Sequence, residues 1–241
     1  MLRIIWLILV SLPTVCNFFW KGLIVRFHKS RYSRDKWYET ARKFTLILQK
    51  NGFITTKVFG ADDLPKEGGY IMYSNHQGHY DALGIVASHE KPLSVVIDRF
   101  SSHLPFAEQY VSFLHGIRLD RRSIRTQYKG LMQVIEEVGQ GRRILIFPEG
   151  WYGKNRNRLT EFRPGSFKCA IKAKCPIVPV ALIDSYKVFD TLSLKPVTSE
   201  VHFLKPIAYD EYKDMNSIEI SEMVKKRIED TIAQYTDGSK K

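Results

Sequence analysis

The chain has 241 residues, 44% of them hydrophobic and 12% aromatic, with 37 Lys and Arg against 25 Asp and Glu. That composition excludes wholesale disorder and leaves room for one sizeable α/β domain with something appended. The formal charge of +12 calls for an acidic partner: nucleic acid, anionic lipid or phosphorylated small molecules.

The charge is uneven. Residues 1–50 hold ten Lys and Arg against only Asp35 and Glu39, about two-thirds of the excess. From Ile4 to Trp20 there are seventeen uncharged residues, bracketed by Arg3 and Lys21 and interrupted by Pro13. That is at the short end for a bilayer span. A cleaved signal peptide fits poorly, because no small-x-small site follows and the run continues into Phe18, Phe19 and Trp20. Residues 36–50 read as a basic amphipathic helix with Trp37, Ala41, Phe44 and Leu48 on one face. An apolar hairpin followed by such a helix predicts a membrane-seated region over residues 1–54, either spanning or lying in one leaflet, with the short Pro-broken run favouring the leaflet. An ordinary buried helix is the alternative.

Residues 55–241 read as the α/β domain. Apolar strands are predicted at 56–59, 70–73, 94–97, 117–119, 144–147, 177–182 and 201–204, with helices at 81–89, 104–113, 124–140 and 165–174 between them. The 124–140 helix is expected to bury Ile124, Tyr128, Leu131, Ile135 and Val138, and an amphipathic helix over 217–235 closes the chain. Cys169 and Cys175 lie in apolar surroundings as core residues. With Cys16, the cysteines are too few and scattered for a disulfide framework or a metal cluster.

Four stretches carry the unusual chemistry. Asn75-His76-Gln77-Gly78-His79-Tyr80-Asp81 leaves an apolar strand and resumes as a helix. Five residues at 3.6 per turn separate His76 and Asp81 by roughly 140° on a helix, so they meet only if His76 lies in the turn and Asp81 starts the helix. An aspartate on one imidazole nitrogen leaves the other free as a general base. Next, Gly116-Ile117-Arg118-Leu119-Asp120-Arg121-Arg122 ends a strand in arginines just before a helix, where an anion could bind. Phe147-Pro148-Glu149-Gly150 then leaves a carboxylate at a strand end. Last, Val178-Pro179-Val180 puts a proline inside a strand, which calls for an edge or a bulge.

In this order the four stretches resemble the motif blocks of the glycerophospholipid acyltransferase family, nearest to its bacterial 1-acylglycerol-3-phosphate acyltransferases. The Asn-His-x-x-x-x-Asp block matches Asn75, His76 and Asp81. The Gly…Asp-Arg block matches Gly116, Asp120 and Arg121, the Phe-Pro-Glu-Gly block Phe147 to Gly150, and the Val-Pro-Val block Val178 to Val180. The resemblance covers roughly residues 55–185 and implies the family's acyltransferase-like sheet flanked by helices, with a membrane-seated helical hairpin at the cytoplasmic face of the cell membrane. It implies His76 as general base oriented by Asp81, with Arg121 on the acceptor's phosphate and Asn75, Gly116, Glu149 and Gly150 around the same pocket. The substrates it implies are a lysophospholipid acceptor and an acyl-CoA or acyl carrier protein donor, with no cofactor and no metal. The absence of a Gly-x-Ser-x-Gly elbow agrees with a reaction that needs no enzyme nucleophile.

Two departures bear on the acceptor. Gly78 stands where the family usually has serine, and Trp151-Tyr152 where it continues Thr-Arg. Lys154, Arg156 and Arg163 are the candidates to replace the missing arginine. Two rival readings remain: a metal site on His76, His79 and Asp81, which lacks a second ligand cluster, and a basic membrane-surface or RNA-binding protein without catalysis. No nucleic-acid motif is present, and the apolar run suits an RNA binder poorly.

Overall fold

The computed structural model describes residues 2–27, 33–103, 106–120, 122–153 and 155–237. Seven strands form one sheet in the order β1-β7-β6-β2-β5-β3-β4: β1 (Ile54–Phe59), β2 (Tyr70–Ser74), β3 (Leu93–Asp98), β4 (Ile117–Leu119), β5 (Arg143–Ile146), β6 (Ile177–Ile183) and β7 (Val197–Phe203). From β6 to β4 every neighbouring pair is parallel, while β7 runs antiparallel to β6 and parallel to β1.

Helices cover both faces, as the continuous apolar runs of the central strands require. Alternation along β2 divides the core: Tyr70 and Met72 point into one cluster, Ile71 and Tyr73 into the other. The first face carries α1 (Leu2–Val10), α2 (Leu12–Phe27), α3 (Arg34–Asn51), α4 (Asp81–Ser88) and α5 (Ala107–Phe113). The second carries α6 (Ile124–Gly139), α7 (Lys168–Ala173) and, after the short α8 (Tyr186–Phe189) and α9 (Tyr209–Tyr212), the closing helix α10 (Ser217–Asp237).

The N-terminal helices share the sheet's core. Phe18 stacks on Phe44 with ring centroids 3.8 Å apart and meets Phe113 edge-on at 4.7 Å. Arg3 is buried and donates to the carbonyls of Val188, Gly52, Ser193 and Lys195, which ties α1 to segments far along the chain. The apolar run is two helices, bent by 88° at Ser11; Pro13 lies in the first turn of the second, where a missing N–H costs nothing. No single helix among the described residues is long and apolar enough to cross a membrane, although the bent pair passes the test of length and composition.

One packing expectation needs correction and another is narrowed. In α6 the buried residues are Gly130, Val134, Glu137 and Val138, with Leu131 and Ile135 half-buried, whereas Ile124 is 85% exposed and Tyr128 57%. The stripe is covered only from Gly130 onward, where the helix comes against Leu119 and Ile117 of β4. Pro179 sits in an interior strand, paired with Tyr73 of β2, rather than at an edge. The alternative, an irregularity in the pairing, holds: the antiparallel register slips by one residue across it, from Val180↔Phe203 to Ile177↔Ile207, and the Pro179 carbonyl accepts from Leu204 in between.

His89, between α4 and β3, is 2% exposed, with Nε2 facing the Tyr70 hydroxyl at 2.7 Å and Nδ1 facing the Lys91 carbonyl at 2.6 Å. Burial pushes its pKa down to about 4; the hydrogen bond to Lys91 opposes this, and the cations of Arg143, Lys91 and Arg42 add to it. A depressed histidine contributes stability above its unfolded pKa near 6.5, which is lost as the pH falls towards 4. At 1.36 kcal/mol per pH unit the component is at most about 3 kcal/mol. Urea unfolding at pH 7 and pH 4 is expected to give a smaller acid loss for His89→Gln than for the wild type.

Candidate active site

The parallel run of β6, β2, β5, β3 and β4 aligns the carboxyl ends of five strands, where crevices form in open α/β sheets. The turn from Asn75 to Tyr80 leaves β2, Phe147–Gly150 leaves β5, and Asp184 and Ser185 follow β6. Three stretches remote in sequence are therefore neighbours.

Asp81 is the first residue of α4 and wholly buried, and His76 lies in the turn before it. The His76 Nδ1 to Asp81 Oδ2 distance is 2.6 Å. The same oxygen accepts from the backbone N–H of Gln77 at 2.5 Å and of Gly78 at 2.9 Å, while Oδ1 accepts from the Ser185 hydroxyl at 2.5 Å. A carboxylate held by such donors can only accept from the imidazole, so Nδ1 carries a proton and, in the neutral ring, Nε2 holds the lone pair. The His76 side chain is 19% exposed, so Nε2 remains within reach of a ligand from the cleft.

The turn is latched on both sides. Asn75 is buried and bonds Leu182 of β6 twice, Nδ2 to the carbonyl at 3.0 Å and Oδ1 to the N–H at 2.7 Å. Gln77 donates to the Leu182 carbonyl and to Asn157, and accepts from the Ser185 N–H. Glu149, 5% exposed, accepts from the His76 N–H at 2.7 Å, the Thr160 N–H at 2.9 Å and the Thr160 hydroxyl. Asn75 and Glu149 thus shape the backbone around His76.

Aromatic rings surround the imidazole. Phe147 stacks on His76 at 4.3 Å and Tyr152 meets it edge-on at 4.5 Å. The Tyr152 hydroxyl lies 2.8 Å from His79 Nε2, and His79 Nδ1 lies 2.8 Å from Asp190 Oδ1. The Asp190 carboxylate holds His79 above its usual range, and burial, helped by Asp190 and Asp81, pushes the Tyr152 hydroxyl up to about 12. Both His79 nitrogens are therefore engaged away from His76 and Asp81. Among the described residues no group of three or more His, Cys, Asp or Glu could hold a metal ion.

Beyond Tyr152, Trp151 stacks on its ring and borders a cavity of about 510 Å³ lined also by Asp98, Phe100, Ser101, Asp120, Arg122 and Arg163. Gly150 has φ +72°, and a Cβ there would lie 2.9 Å from Arg163 Nε, so the missing side chain lets that guanidinium cross the strand end. Arg122 sits over the Phe100 ring at 4.8 Å, and Arg156 over Tyr186 at 6.0 Å. Arg121 and Lys154 lie outside the described residues. Gly116 precedes β4, at the opposite end of that strand; a Cβ there would lie 2.6 Å from Val111 Cγ1, so its place is one of packing. Ser185, Gln77, Asn157, Thr160 and Asp190 were not singled out from sequence. Gln77 lies within the quoted turn itself; no local pattern marks the other four, which reach the site through the fold.

These features define an α/β protein with a histidine–aspartate site at the carboxyl ends of its sheet, beside a cleft bordered by arginines. Residues 55–183 match the acyltransferase family profile, and the chain belongs to that family. A 1-acyl-sn-glycerol-3-phosphate acyltransferase of Borreliella burgdorferi is 31% identical over 133 residues, 55% of this chain and 52% of that protein. The Saccharomyces cerevisiae protein of the same name is 26% identical over 204 residues, 81% of this chain and 65% of that protein. The chain thus spans between about half and two-thirds of the length of these relatives. The crystal structure of the 1-acyl-sn-glycerophosphate acyltransferase PlsC from Thermotoga maritima shares the fold, with TM-score 0.73 and 19% identity, covering 95% of this chain and 97% of that one.

Glu149→Ala leaves the His76 and Thr160 N–H groups without their buried acceptor. The expected cost is about 2–3 kcal/mol, read by calorimetry as a fall in Tm of about 5–10 °C.

Proposed function

We propose that the chain transfers a fatty acyl group from an acyl thioester, acyl-CoA or acyl carrier protein, to the free hydroxyl of 1-acylglycerol-3-phosphate, making phosphatidate. The observation that carries this reading is the Asp81 carboxylate, whose contact with Nδ1 places the lone pair of the neutral His76 ring on Nε2. The acceptor hydroxyl passes its proton to Nε2 as its oxygen attacks the thioester carbonyl. The C–S bond then breaks, and the departing thiolate takes the proton back from the imidazolium. The names of the relatives from B. burgdorferi and S. cerevisiae support lysophosphatidate as acceptor.

For the phosphate the proposal uses the cavity beside Trp151. Arg163 and Arg122 line it; Arg121, matched by motif to the family's arginine, lies outside the described residues. Arg163 replaces the arginine that the Trp151-Tyr152 departure removes, while Arg156 is turned to Tyr186. The reading also seats α1 and α2 in one leaflet at the cytoplasmic face of the cell membrane. Leu2, Ile5, Leu9, Leu12, Trp20 and Leu23 are all more than 40% exposed there, and the basic excess of residues 1–50 attracts anionic headgroups. Tyr152 in place of the family's arginine favours a second reading, in which the acceptor is a different lysophospholipid.

The test is an assay with labelled lysophosphatidate and a long-chain acyl thioester in detergent or liposomes, run beside other lysophospholipids. Diacyl product is expected from the wild type, with a loss of at least about 100-fold in His76→Ala. Arg163→Ala is expected to raise KM for lysophosphatidate about tenfold. Near-full activity in His76→Ala would sink the mechanism, and vesicle binding without product from any acceptor would favour the non-catalytic membrane protein. In co-sedimentation with anionic vesicles, a Leu9→Asp, Trp20→Ser double variant is expected to bind at least about fivefold more weakly.

A further inference from the structure

The two departures from the family pattern, Gly78 and Tyr152, meet in a second hydrogen-bonded chain beside the first. Asp190, directly after α8, lies with Oδ1 2.8 Å from His79 Nδ1 and with Oδ2 3.4 Å from the His79 backbone nitrogen. On the far side of that imidazole, Nε2 meets the Tyr152 hydroxyl at 2.8 Å. The Tyr152 ring in turn meets the His76 imidazole edge to face, centroids 4.5 Å apart. The turn after β2 therefore carries two aspartate–histidine pairs: Asp81 with His76, and Asp190 with His79, the second ending on the ring that borders the first.

Gly78 is a condition for this chain. A Cβ at that position would lie 2.0 Å from Asp190 Oδ2, so the serine usual in the family would push Asp190 out of the place from which it holds His79. Tyr152 is the other condition, because an arginine there has neither the hydroxyl that meets Nε2 nor the ring that faces His76. Folding alone gives little reason for the arrangement: the His79 side chain is 53% exposed and that of Asp190 31%, and pairs so open to water contribute little to stability. What the chain does is hold one rotamer of a tyrosine that stands in a loop.

We propose that Asp190 and His79 act as positioning residues that hold the Tyr152 ring as the fixed wall of the acceptor subsite beside His76. This rests on the reading of His76 as the base that deprotonates the acceptor hydroxyl. In that reading the acceptor hydroxyl comes to His76 Nε2, and the wall, in contact with the same imidazole, bounds the space beside the base. Trp151, stacked on Tyr152 at 5.6 Å, continues the wall towards Arg163 and the cavity that takes the phosphate in that reading.

The experiment is a double-mutant cycle on the full chain. Tyr152→Phe keeps the ring and removes only the hydroxyl; His79→Ala removes its partner. Each is expected to lower kcat/KM for the acceptor about three- to tenfold, the population weight of one net hydrogen bond. The double variant is expected to lose no more than the larger single loss, with donor KM and Tm unchanged throughout. Asp190→Asn is expected to lower acceptor kcat/KM in the same direction and, by NMR, to lower the pH at which His79 titrates. A Tyr152→Phe enzyme with wild-type acceptor kinetics overturns the relay, as does a double variant that loses the product of the two single losses. The outcomes separate cleanly. Product from the wild type and none from His76→Ala, together with an unaltered Tyr152→Phe, overturns the relay alone; no product from the wild type with any lysophospholipid overturns the underlying reading.

Discussion

The Asp81 carboxylate is the constraint on which the site depends. It has no exposed surface, and a bare carboxylate in that position would be costly. Two backbone N–H groups, the Ser185 hydroxyl and the His76 imidazole offset that cost, and they come from three directions. Its place in the first turn of α4 adds the favourable end of the helix dipole. Satisfying this one group closes the turn after β2, ties it to the end of β6 and sets the tautomer of His76. The orientation of the histidine is in this sense a by-product of solving a burial problem.

Sheet direction makes the solution possible. Because β6, β2 and β5 are adjacent and parallel, their carboxyl ends present Ser185, His76 and Glu149 to one another. Had β6 run the other way, Ser185 would lie at the opposite edge and the Asp81 carboxylate would lack a donor. The helices of the first face then give the sheet its dry floor, and Arg3, donating only to backbone carbonyls, fastens the first of them. The same helices carry apolar side chains outwards, so packing and the proposed membrane contact use opposite sides of one element.

Periodicity and punctuation were enough for much of the fold. The run Tyr70-Ile71-Met72-Tyr73 is buried on both faces, as its unbroken apolar character predicts, and α4 opens at Asp81, as the His76–Asp81 spacing requires. Expectations failed or narrowed where a neighbour decided the outcome. The stripe of α6 was drawn from the helix alone, but the extent of the sheet beneath it leaves Ile124 and Tyr128 in the open. Pro179 was assigned to an edge or a bulge because a proline lacks a donor. The interior strand accepts it because the regular ladder with β7 stops there and the register slips by one residue before Ile177 pairs with Ile207. Gly116 was grouped with the pocket by motif, yet it serves the contact between α5 and β3, away from the strand ends that matter.

The sequence by itself determined the class of fold, the pairing of His76 with Asp81 and the family to which the chain belongs. Those follow from local rules: side-chain period, the chemistry of a strand-to-helix turn, and short blocks in a set order. Only the tertiary structure decided which residues support the pair, for Ser185 lies more than one hundred positions from Asp81 and its bond is set by strand order. It also decided that the second histidine has partners of its own. His79 in sequence is a residue beside an active one; folded, it bridges Asp190 and Tyr152, because Gly78 leaves the space that a side chain would have filled.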